Sequence, residues 1–129
     1  MIFGWRENLD AFLEILSWGG AEILPREAGL NRRTVRRRSD IYGYVASCVA
    51  AGKAGYLSLF SLPQIEKGFW NLLFVDIDPE EKASQAGEIL AEGYRLAELI
   101  RRVGGRYAVV YSGGGGFHVY HHLQSILPV

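Results

Sequence analysis

Two short stretches hold the side chains best suited to chemistry in this 129-residue chain. The first, "LLFVDID", is an apolar run ending in Asp76 and Asp78. Side chains alternate along a strand, so two acids two residues apart share a face. Neighbouring carboxylates repel each other, and a shared divalent cation resolves the conflict. The competing reading is that Asp76 faces water and Asp78 sets the turn before Pro79. The second stretch, "VVYSGGGGFHVYHH", runs from Ser112 through Gly113, Gly114, Gly115 and Gly116 to His118. Ordering successive glycines is entropically expensive. A nest of backbone N–H groups for phosphate oxygens, with Ser112 and His118 as donors at its edges, would offset that cost. A plain hairpin turn is the other reading. Rossmann and P-loop sites are excluded, because "FHVYHH" alternates like a strand where those loops open a helix, and neither glycine spacing is present. His118 lies between Phe117 and Val119 and faces away from both, as a phosphate donor or as a hydrogen-bonded structural residue. His121 and His122 are assigned to solvent.

Charge is segregated along a chain whose formal net charge is zero. Arg26, Arg32, Arg33, Arg36, Arg37 and Arg38 fall within thirteen residues, and Asp76 to Glu98 holds seven of the fourteen carboxylates. The arginines read as a solvated face or as a contact patch for nucleic-acid phosphates or a nucleotide. Cys48 is the single cysteine, which rules out an internal disulfide or a cysteine-rich zinc knuckle. The N-terminal residues lack a secretion-signal pattern and no run approaches the ~18 apolar residues of a membrane span. The expectation is an intracellular, cytoplasmic protein that does not enter a membrane.

Elements to position these residues follow from periodicity. Leu9, Phe12, Leu13 and Leu16 predict a helix over 6–18, stopped at Gly19-Gly20. The arginine segment, punctuated by Pro25 and Gly29, reads as an exposed strand or loop. Ser39 caps a second predicted helix whose face is Ile41, Tyr44, Val45, Cys48 and Val49, ending at Gly52 and Gly55. "YLSLFSL" reads as a strand, and "FWNLLFVDID" as a central strand covered on both sides. From Glu80, apolar residues hold a helical period through Val103, before the strands "RYAVVY" and "FHVY". Length and an apolar half fit one domain over 1–129. The order predicts an α/β (α+β) fold, a mixed β-sheet covered by helices on at least one side.

The combination of "LLFVDIDPEE" with "VVYSGGGGFHVY" resembles the archaeo-eukaryotic primase superfamily, in particular the small catalytic subunit of primase. "PREAGLNRRTVRRRSDIYGYV" followed by "GYLSLFSL" resembles the upstream segment of that family. The likeness runs from about Leu24 onward and is strongest in the two motifs. It implies a primase-type nucleotidyltransferase core that makes DNA primers, with Mg2+ or Mn2+ on Asp76 and Asp78. It also implies a triphosphate held by Ser112, the glycine backbone and His118. Nucleoside triphosphates and template DNA are the implied partners. Family members carry a further acidic residue downstream, whereas this chain has no Asp or Glu after Glu98. They commonly carry arginine where Gly114 and Gly115 stand. These departures imply a minimal or truncated member completed by a second subunit or a C-terminal region. The alternative is a catalytically inactive nucleotide- or nucleic-acid-binding module, and a purely structural α/β domain is the third reading.

Overall fold

A computed structural model describes residues 4–77, 86–103, 105–111 and 117–128. Their contacts divide the chain into two compact units, Met1–Trp70 with Pro128–Val129, and Asn71–Leu127.

The first unit opens with α1, Trp5–Leu16, whose apolar spacing buries Leu9, Leu13 and Leu16. Fully burying such side chains contributes about 1.5–3 kcal/mol each. A 3-10 turn over Trp18–Gly20 ends the helix, with Gly19 at φ 75° and Gly20 at φ 77°, a region that glycine enters without a Cβ penalty. The arginine segment folds into a hairpin of β1, Arg26–Ala28, and β2, Arg33–Val35, with Arg26 opposite Val35. α2, Arg38–Ala51, begins just before the expected Ser39 cap, because the Arg37 N–H donates to the Asp40 carboxylate at 3.2 Å. It stops at Gly52, as its sequence predicts, but Ile41 is the one residue of the helix that is fully buried. Cys48 is a free, half-buried thiol.

The strand predicted over "YLSLFSL" is replaced by two other features. Leu57 makes only an isolated bridge to Ala28. A short helix, α3, Leu62–Lys67, then follows. A capping box decides this: Ser61 Oγ accepts from the Gln64 N–H at 3.4 Å, and Gln64 Oε1 accepts from the Ser61 N–H at 3.0 Å. Pro63 in the first turn forfeits an N–H that would have had no helical partner.

β3, Phe69–Ile77, leads into the second unit. α4 is described over Ala86–Val103 and buries Gly93, Ala97 and Ile100, a single helical stripe. It packs against β4, Tyr107–Tyr111. β5 runs over Phe117–Pro128, well beyond the predicted "FHVY". The sheet order is β3-β5-β4, with β5 antiparallel to β4 and His118 opposite Val110. His121 and His122 are half-buried, against the expectation that they face solvent. β5 continues past them: His121 pairs with Tyr107, and the His122 N–H donates to the Arg106 carbonyl at 2.7 Å. The chain is thus an α+β protein with helices beside antiparallel sheets. No helix among the described residues is long and apolar enough to cross a membrane.

Candidate functional site

The site grows from strand alternation on two adjacent strands. Along β3, Leu72, Phe74 and Asp76 share one face. Leu72 is buried, while Asp76, close to the strand end, leaves 44% of its side chain in solvent. Along β5, His118 and Tyr120 share a face, and the intervening Val119 is buried on the other. Because β5 lies next to β3 in the sheet, Asp76 and His118 come together although they are far apart in the chain. His118 Nε2 stands 3.4 Å from Asp76 Oδ1.

Aromatic rings back this pair. Phe74 meets the His118 imidazole nearly edge-on, with ring centres 5.1 Å apart and planes at 73°. Its centre lies 5.2 Å from that of Tyr120, and His118 and Tyr120 are themselves edge-to-face at 6.3 Å. Such pairs are worth ~0.5–1.5 kcal/mol beyond their burial and restrict how the imidazole can turn. Burial pushes the Tyr120 hydroxyl up to about 12, and the Asp76 carboxylate adds to the effect by disfavouring a second negative charge nearby. The result is an exposed carboxylate and a half-buried imidazole on an aromatic backing. They offer a hard oxygen donor for a divalent cation and a nitrogen able to hold a hydrogen bond.

The other motif residues distribute as follows. Asp78, Ser112, Gly113, Gly114, Gly115 and Gly116 lie outside the described residues. Among the described residues no group of three or more His, Cys, Asp or Glu side chains is assembled for a metal. Mg2+ does not require one, since it usually keeps several waters and binds through one or two carboxylates plus substrate phosphates. Motif spacing does not single out Phe74 or Tyr120. A signal is present all the same, because each stands two positions along a strand from Asp76 or His118.

The arginines separate into two kinds. Arg32, Arg33, Arg36, Arg37 and Arg38 are exposed in the hairpin turn, on β2 and at the start of α2. Arg32 adopts φ +54° at the end of the turn and lies 3.9 Å from Glu27, and Arg37 lies 3.7 Å from Asp40. Arg33 lines a polar groove with Asn31, Ser39, Tyr44 and Ser47. Arg26, by contrast, is wholly buried, because its place opposite Val35 in the hairpin turns it into the core. The surface cluster therefore numbers five, not six. Arg26 Nη2 donates to the Leu59 carbonyl at 3.4 Å, while Nε and Nη1 have no hydrogen-bond partner among the described residues. Burial pushes its guanidinium down to about 10.

Comparison of the chain with protein-family models, with curated proteins and with solved structures finds no match.

Proposed function

We propose that this chain is a primase-type nucleotidyltransferase core that binds a nucleoside triphosphate through a divalent cation for DNA primer synthesis. The observation that carries the reading is the approach of His118 to Asp76, which joins the Asp-x-Asp strand to the glycine-loop motif on neighbouring strands. Nothing in local sequence requires those two motifs to meet, whereas a triphosphate held against metal-binding carboxylates does require it.

In this reading Asp76 and Asp78 hold Mg2+ or Mn2+, which when bound neutralises triphosphate charge and aligns the attacking and leaving oxygens. Ser112 and the backbone N–H groups of Gly113 to Gly116 grip the phosphates. The exposed arginines Arg32, Arg33, Arg36, Arg37 and Arg38 contact template phosphates by charge alone. The reaction joins a 3′-hydroxyl oxygen to the α-phosphorus of the bound nucleotide and releases pyrophosphate.

Calorimetric titration of a nucleoside triphosphate with Mn2+ into the wild type and into Asp76→Ala/Asp78→Ala tests the reading. The wild type is expected to bind and the double variant to lose binding, and equal binding by both overturns the proposal. A primer-synthesis assay on single-stranded template separates an enzyme from a binding module. The enzyme gives product, whereas the module gives only a salt-sensitive mobility shift.

A further inference from the structure

We infer that His118 is a positioning residue for the Asp76 carboxylate, fixing that ligand for a divalent cation before any nucleotide arrives. The inference rests on the cation-binding reading above but gives His118 a partner that the motif resemblance does not, since the resemblance assigns it to the triphosphate. Three observations converge. His118 Nε2 addresses Asp76 Oδ1 at 3.4 Å, close enough for a modest rotation to complete an N–H···O bond. The ring is held from its own face of the sheet, edge-on to Phe74 at 5.1 Å and edge-to-face with Tyr120 at 6.3 Å. Tyr120 is itself buried, so this backing is part of the packed sheet and not a loose surface contact.

The physical consequence is a division of labour within one carboxylate. With Oδ1 receiving the imidazole N–H, Asp76 loses rotational freedom and directs Oδ2 outward for a cation. Hydrogen-bonding partners of this kind set the orientation and basicity of a ligating group, and removing them typically costs 10–100-fold in metal affinity. Phe74 supports His118 in turn, because Asp76 and Phe74 ride on the same face of β3.

The test is Mn2+ alone, titrated calorimetrically without nucleotide into the full chain. Wild type, Asp76→Ala, His118→Ala and His118→Gln are compared, with thermal melts confirming that each variant folds. The expected result is a 10–100-fold weaker Mn2+ affinity for His118→Ala, largely restored in His118→Gln, whose amide N–H stands where Nε2 did. Asp76-dependent Mn2+ binding that is unchanged in His118→Ala overturns this inference and leaves the cation site standing. Loss of affinity in His118→Gln equal to that in His118→Ala also overturns it, because packing and not the N–H would then be at work. Wild-type Mn2+ binding that is absent, or that survives Asp76→Ala, also overturns this inference, whereas the cation-binding reading above stands or falls by its own titration with nucleotide, where substrate phosphates complete the site.

Discussion

Replacing Arg26 with methionine should stabilise the protein, although it removes a charged side chain from a strand hairpin. Arg26 is fully buried, its one hydrogen bond, to the Leu59 carbonyl, is long at 3.4 Å, and Nε and Nη1 have no partner among the described residues. Burial lowers its pKa from the ordinary arginine value to about 10. At ~1.4 kcal/mol per unit, this difference disfavours the charged form in the fold by roughly 3 kcal/mol. Methionine has a similar length and adaptable shape and no donors to desolvate. Leaving the Leu59 carbonyl without its weak donor costs about 1 kcal/mol. The net gain for Arg26→Met is therefore about 1–3 kcal/mol, within the range seen when buried charges give way to apolar side chains. Urea unfolding at pH 7 measures it directly. A pH series adds a sign. The folded pKa lies below the unfolded one, so above about pH 10 the unfolded chain binds more protons and wild-type stability rises with pH. Below pH 10 the penalty is fully present. The advantage of Arg26→Met should accordingly narrow as pH climbs through 10. A variant less stable than wild type by about 1 kcal/mol or more at pH 7 refutes the reasoning, because the guanidinium would then hold an interaction that offsets its burial.

Tyr120 predicts the opposite trend in alkali. Its folded pKa of about 12 exceeds the ordinary 10.0, so its contribution is fully present below pH 10 and is lost as pH rises towards 12, by about 3 kcal/mol in all. Tyr120→Phe should flatten that part of the decline in urea midpoints between about pH 9 and 11.5, and parallel declines in both proteins would refute it. Single-stranded DNA binding should weaken with salt. Arg33→Ala/Arg36→Ala/Arg38→Ala should make the log-log salt slope shallower by about 0.7 for each phosphate no longer neutralised, roughly 2 in total. An unchanged slope measured by fluorescence anisotropy would remove these arginines from the interface.

Much of the local architecture is legible in the residues themselves. The Leu9, Leu13, Leu16 spacing and the glycines after it define α1 and its end, because helical periodicity and positive-φ glycines are local properties. The same holds for the Gly52 stop of α2 and for the strand character of "FWNLLFVDI". Where expectation and structure part, a specific competitor prevailed. "YLSLFSL" alternates like a strand, but the Ser61–Gln64 capping box and Pro63 divert its end into α3, a signal readable in "SLPQ". The tail after Tyr120 has too little pattern to mark a strand, yet pairing with β4 and a place between two strands draw it into the sheet.

The sequence by itself determined which side chains are chemically capable: Asp76 and Asp78 at a strand end, Ser112 and His118 around a glycine run, and arginines clustered ahead of α2. For Asp76 and His118 it also determined which neighbours along the strand share their face, since alternation needs no knowledge of other strands. What only the tertiary structure decided is adjacency. Strand order β3-β5-β4 sets His118 beside Asp76 and closes Phe74 and Tyr120 around them, and the hairpin register buries Arg26 while leaving five other arginines in water. Both outcomes are set by long-range packing and register, which no local spacing of residues encodes.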